Sequence, residues 1–171
     1  SIAHVVVLCA LKTRVITETA FADSVLPARQ LGNVYRAFAD TASVHRLETP
    51  LNNAAMNAAG QALGSAPFPF DRSSFRLFRS IAEDGSSNGM LVYATLTDGE
   101  SQTETWWGVS AGGAVMEVRV LSDAGPEAHA AFSAVAGMSL QQLQSATTDP
   151  TPAEQCALAV LSILETNGMF Q

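Results

Sequence analysis

The alternation of apolar and polar residues predicts helices toward both ends of the chain and a run of strands between them. Residues 3–11 form an almost continuous apolar stretch, typical of a buried strand, and residues 15–17 either continue it or pair with it. After Pro27, an apolar stripe with helical spacing predicts a helix over residues 27–41. The stripe consists of Leu31, Val34, Tyr35 and Phe38.

A second helix is predicted to begin with Thr49 as its N-cap and Pro50 in its first turn, and to end near Gly64. Its apolar face is mostly alanine, so it can approach a neighbouring helix closely. The Pro-Phe-Pro-Phe segment at residues 67–70 cannot continue a helix, because proline lacks the amide donor and restricts the residue before it. We expect this segment to separate a helical N-terminal part from a β-rich part.

Four strand-like runs with turn signals between them predict an antiparallel meander. Turn-forming residues fill positions 83–89, and the Asp-Gly pair at 98–99 is typical of a hairpin. The predicted strands cover residues 75–82, 90–97, 102–110 and 114–121. The first of these segments also fits a helix, because Phe75, Phe78 and Ala82 have helical spacing.

The C-terminal part carries the clearest helix-start signals. Pro126 begins one helix, and Ser139 with Gln142 three residues later forms a capping-box pattern for a short one. Thr151, followed by a proline, caps a third helix that runs to Glu165. Because apolar residues surround this last helix on nearly every side, we expect it to be buried.

These elements predict an α+β fold with a mainly antiparallel, four- to five-stranded sheet flanked by N- and C-terminal helices. We expect a single domain, 1–171, made of an N-terminal strand and helices (1–66), the β-meander (67–122) and the C-terminal helices (123–171). We expect the helices from both ends to pack on one face of the sheet.

The composition is that of a globular domain with few charges: 47% of the 171 residues are hydrophobic, 15% are charged, and the net charge is −7. The excess negative charge lies entirely within residues 100–171, where Arg119 is the single basic residue. Such a chain is poorly suited to nucleic-acid phosphates, and no apolar run reaches the roughly 20 residues that span a bilayer. We expect a protein or a small neutral ligand as partner, and we expect no cofactor, no nucleic acid and no transmembrane segment. The sequence is compatible with a homo-oligomer.

Residue usage favours a bacterial, exported protein. Arginine outnumbers lysine eight to one, and the low charge content is common in exported proteins. We therefore expect a periplasmic or secreted location rather than the cytoplasm, after removal of an upstream signal. In an oxidising compartment Cys9 and Cys156 can form a disulfide. The alternative is two inert thiols in the core.

The histidines lack metal-ligand spacing, so no metal site is predicted.

Two alternatives would make the chain an enzyme, and the first is a serine hydrolase. Residues 108–112 match the Gly-x-Ser-x-Gly pattern of serine hydrolases, with Ser110 as candidate nucleophile and His129 as candidate base. The other interpretation of the same residues is a glycine-rich hairpin, because the residues that follow alternate like a strand.

The second alternative is phosphotransfer. Residues 45–52 read His-Arg-Leu-Glu-Thr-Pro-Leu-Asn, which resembles the phosphoacceptor box of sensor histidine kinases with its two charged positions exchanged. The resemblance implies that His45 accepts the phosphate from within a long helix. A helix that simply starts at Thr49 and Pro50 accounts for the same residues.

Adjacent tryptophans complete the candidate residues. Trp106 and Trp107 face opposite sides of the predicted strand, so either one ring is exposed as a binding anchor or helices cover both. An exposed ring shares its face with Glu104, and Tyr93 lies on the neighbouring strand. The predicted function is that of a non-enzymatic bacterial binding or adaptor protein, with these four residues as its binding surface.

Overall fold

A computed structural model describes residues 15–16, 28–121, 125–146 and 148–171. A six-stranded sheet lies at the centre, with its strands side by side in chain order. The first two strands are parallel and every other neighbouring pair is antiparallel. The strands are β1 (Val15–Ile16), β2 (Ser43–Leu47), β3 (Arg76–Ile81), β4 (Ser87–Asp98), β5 (Ser101–Ser110) and β6 (Val115–Val120).

Helices before and after the strands flank this sheet, so the predicted α+β fold with a mainly antiparallel sheet is confirmed. A short 3-10 turn, Arg72–Ser74, leads into β3. The helices of the described residues are α1 (Ala28–Ala37), α2 (Asn53–Leu63), α3 (Pro126–Ser133), α4 (Leu140–Ala146) and α5 (Pro152–Thr166).

The two faces of the sheet bury separate apolar clusters. On the first face, α1 packs its apolar stripe against Phe78, Leu91, Tyr93 and Trp106. On the second face, α2, α3, α4 and α5 cover a larger cluster that includes Trp107. The expectation that helices from both ends share one face holds for α2, which packs with α3, α4 and α5, and is wrong for α1. Periodicity identifies the buried side of a helix but does not say which face of a two-sided sheet it covers.

The last helix, α5, is buried along most of its length, as its sequence predicts. The alanine face of α2 packs in the same cluster through Ala55 and Ala59. Asn167, just after α5, joins the two helices: its Nδ2 donates to the Pro50 carbonyl at 3.0 Å, and its Oδ1 accepts from Asn52 Nδ2 at 3.1 Å. The C-terminal stop of α5 therefore also anchors the start of α2.

Two local predictions are wrong. The second helix starts at Asn53 rather than at Pro50, because Asn52 is its N-cap and accepts a hydrogen bond from the Ala55 amide at 2.9 Å. Residues 43–47 form a strand that the sequence did not predict. Val44 is its single fully buried side chain, and one buried apolar position gives no alternating pattern that would indicate a strand. The predicted buried strand over residues 3–11 lies outside the described residues.

Candidate functional site

Both tryptophans are buried, one on each face of the sheet. Trp106 is 2% exposed beneath α1, and Trp107 is 0% exposed among the helices of the other face. The Trp107 ring makes edge contacts with Phe70 and Phe132, and its Nε1 donates to Thr105 Oγ1 at 3.1 Å. Neither ring is therefore an exposed anchor, and helices cover both.

Three of the four predicted binding residues lie together on the α1 face. Tyr93 pairs with Trp106 across β4 and β5, and its hydroxyl accepts from Asn33 Nδ2 at 2.9 Å. Glu104 is exposed one row further along the same face. Tyr93 and Glu104 line a small cleft of about 150 Å³ beside Gln30 of α1. Trp107 does not belong to this group.

The candidate hydrolase residues are not joined. The Ser110 hydroxyl accepts a hydrogen bond from the Ala114 amide at 3.0 Å, within the turn that connects β5 to β6. His129 is exposed on α3. No hydrogen bond links the two side chains in the described part of the chain. Ser110 therefore lies in the glycine-rich hairpin of the other interpretation, where its hydroxyl stabilises a turn.

His45 lies in β2 and not in a helix. Its exposed ring contacts Ser43 Oγ through Nε2 at 3.3 Å, and its neighbour across the ladder is Arg79. The helical setting that the kinase resemblance implies is absent at this position. Phosphotransfer at His45 stays a prediction without geometric support.

Cys156 is buried in α5 and has no disulfide partner within the described residues. Burial raises the pKa of this thiol to about 12, because a thiolate would lose its hydration there. Cys9 lies outside the described residues, so the pairing of the two cysteines stays a prediction.

Across the described ranges, no three His, Cys, Asp or Glu side chains lie close enough together to hold a metal ion. None of the described helices is long and apolar enough to cross a membrane.

A groove between α1 and β6 is the feature that the sequence analysis missed. It encloses about 350 Å³ beside the covered Trp106 ring. Arg119 lies over that ring, with its Cζ 5.1 Å from the ring centroid, and pairs with Glu117 at 2.7 Å. Arg36 reaches the groove from α1. The groove therefore offers two cationic side chains next to an aromatic floor.

The last strand, β6, forms one edge of the sheet. The Leu121 amide donates to the Glu104 carbonyl at 2.8 Å, which makes these two residues a hydrogen-bonded pair of the β5–β6 ladder. Bonded and non-bonded pairs alternate in an antiparallel ladder, so Val118 and Val120 turn their N–H and C=O groups away from β5. These groups form an outward-facing row next to the groove.

The beginning of this edge is covered. The Val115 amide donates to the Met138 carbonyl at 2.9 Å, and the Gly137 amide donates to the Val115 carbonyl at 2.6 Å. From residue 116 to residue 120, no described residue pairs with the outer side of β6. Met116, at 50% exposure, is the one large apolar side chain exposed in the described ranges.

A sequence signal for this edge exists but is incomplete. The final strand of a meander is an edge unless a later strand covers it, and charged residues on it are typical of exposed edges. Glu117 and Arg119 fit that pattern. The groove itself depends on where α1 packs, and local periodicity does not contain that information.

Comparison of the chain with protein-family models, with curated proteins and with solved structures finds no match in any of the three.

Proposed function

We propose that this protein is a non-enzymatic binding or adaptor module that receives an extended segment of a protein along β6. The observation that carries the proposal is the outward-facing backbone of Val118 and Val120, with no described strand beside it. An extended peptide that pairs with such an edge satisfies the exposed N–H and C=O groups of both chains.

The side chains around the edge indicate which segment fits. On the α1 face, Arg36 and Arg119 favour acidic side chains of the incoming segment. The other face of β6 carries Val118 and Val120, which favour apolar neighbours on that side of the segment. The side chains of an extended segment alternate between the two faces, so a segment with alternating acidic and apolar residues matches this surface.

A protein segment fits better than a small ligand. The cleft beside Tyr93 and Glu104 has a volume of about 150 Å³, whereas cavities for small molecules usually enclose roughly 300–1,000 Å³. The groove beside Arg119 has a volume of about 350 Å³, at the lower end of that range. It opens next to the edge of β6, and only an extended chain can also bind the outward-facing backbone groups of Val118 and Val120. The hydrolase alternative has no comparable support, because the Ser110 hydroxyl is engaged in a turn.

The test uses random peptides displayed on phage as the probe. Peptides selected on the wild-type protein are measured for binding to Val118→Pro and to the matched control Val118→Thr. Proline removes an N–H that points away from β5, so the internal ladder keeps its bonds while the added strand loses a donor. Circular dichroism verifies that both variants fold.

We expect the selected peptides to bind the threonine variant as they bind wild type, and to bind the proline variant at least tenfold more weakly. Amide exchange at Val118 and Val120 should slow when a selected peptide is bound. Peptides that bind the proline variant equally well, or a selection that yields no binder, would contradict the proposal.

A further inference from the structure

The order of charges along β6 makes this strand complementary to itself. From Met116 to Val120 the strand reads Met-Glu-Val-Arg-Val, with one acid and one base placed symmetrically about Val118. We propose that the segment received by β6 is β6 of a second copy of this chain, antiparallel to it, with the two-fold axis at Val118. This inference rests on the proposed function, because it names the strand that the edge receives.

The register about Val118 pairs the opposite charges of the two strands. It places Glu117 opposite Arg119 of the partner subunit, and the symmetry of the pair repeats the contact on the other side of the axis. Glu117 and Arg119 also pair within one chain at 2.7 Å, and both are nearly half exposed. Four charges therefore form one alternating cluster on the α1 face of the joined sheet.

The direction of the backbone N–H and C=O groups of β6 is compatible with this register. Val118 directs its N–H and C=O away from β5, so two Val118 residues facing each other can exchange both hydrogen bonds. A two-fold axis at Glu117 or at Arg119 would also fit the backbone, as a non-hydrogen-bonded pair, but it would place two like charges opposite each other. The charges therefore select the two-fold at Val118, and the outward-facing backbone of Val118 is compatible with it.

The regular part of the strand is short. The pairing of β6 with β5 shifts register at Met116, which is the extra residue of a β-bulge, so side chains alternate regularly only from Glu117 to Val120. Because Met138 and Gly137 also occupy the outer side of Val115, regular pairing about Val118 covers only the three residues from Glu117 to Arg119 of each chain. Such a small contact predicts a reversible dimer whose population depends on protein concentration.

The test is a charge exchange followed by sedimentation velocity from about 1 to 300 µM, a range chosen for a weak interface. Glu117→Arg and Arg119→Glu each place like charges opposite each other twice in the dimer, so each variant alone should be monomeric. An equimolar mixture of the two restores both opposite-charge pairs and should form a heterodimer. The double variant Glu117→Arg/Arg119→Glu should dimerise like wild type.

Val118→Pro should abolish the dimer in the wild-type background, while Val118→Thr should leave it unchanged. Thermal unfolding checks that each single-charge variant is folded, and recovery in the mixture cannot arise from a misfolded chain. A dimer that survives both single exchanges uses another surface and would overturn the inference.

The two proposals fail in different ways. A wild-type protein that stays monomeric up to the highest concentration, but still binds selected peptides through Val118, overturns the second-copy inference and leaves the binding module intact. A monomer that also binds no peptide overturns both.

Discussion

Gly89 occupies a position where any side chain must displace its surroundings. It lies in β4 with a φ of +146°, a region that residues with a Cβ rarely adopt. A Cβ placed on it would overlap the Val109 carbonyl and would lie 2.6 Å from Cε1 of Phe38, the residue just after α1 that packs on this face. We predict that Gly89→Ala destabilises the protein by pushing α1 off the sheet.

The magnitude follows from two effects. Left-handed backbone geometry costs about 1–2 kcal/mol for a residue with a Cβ, and forcing extra volume into a packed core costs about 1–3 kcal/mol. The lower entropy of the unfolded alanine chain offsets about 0.4–1 kcal/mol of this. We therefore expect Gly89→Ala to lower the free energy of unfolding by about 1–5 kcal/mol.

Gly108 provides the matched control. It lies in the neighbouring strand on the same face, without a positive φ, and a Cβ there would be 3.6 Å from the Trp106 ring. That distance is ordinary van der Waals contact, so Gly108→Ala should change stability by less than about 1 kcal/mol. Urea unfolding followed by circular dichroism and tryptophan fluorescence measures both variants. Equal losses in the two variants, or no loss in Gly89→Ala, would refute the steric argument.

Two further predictions concern α5. Asn167→Ala removes the hydrogen bonds that join α5 to the start of α2, so it should lower the free energy of unfolding by about 1–3 kcal/mol in the same urea assay. The control is Asn57→Ala at an exposed position of α2, which should change the free energy of unfolding by less than about 0.5 kcal/mol. If Cys156 is the free thiol of the structure, its raised pKa and burial keep it from reacting with a thiol reagent at pH 8 until urea unfolds the chain. If it instead pairs with Cys9, the intact protein has a mass lower by two hydrogens and no reactive Cys156 thiol even in urea.

The helix starts that the sequence predicted correctly are those with strong local signals. Ser139 and Gln142 form the predicted capping box, with hydrogen bonds of 2.9 and 3.3 Å in the two directions. Thr151 caps α5 as expected, accepting from the Glu154 amide at 3.3 Å. These interactions span three residues, so the sequence contains everything that determines them.

Where tertiary contacts decide, the sequence was not sufficient. Thr49 and Pro50 form a good local helix start, yet the helix begins later, where Asn52 caps it and also bonds Asn167. Tyr93 and Trp106 lie next to each other because β4 pairs with β5. The predicted meander already implies that pairing of consecutive strands. The groove beside them depends on the docking of α1, which is set by side chains far apart in the chain.

In the described part of the chain, the sheet separates two apolar cores of unequal size. The smaller core is closed by α1, a helix of 10 residues that rests on Phe78, Leu91 and Trp106, while several helices seal the larger one. Free energies of local opening follow the apolar contacts that each opening breaks. The α1 side can therefore open while the larger core stays intact. Such a partly opened protein would expose the aromatic side chains of the sheet beside the groove. Heating, or a mutation that weakens the packing of α1, would therefore alter binding along β6 before it unfolds the larger core.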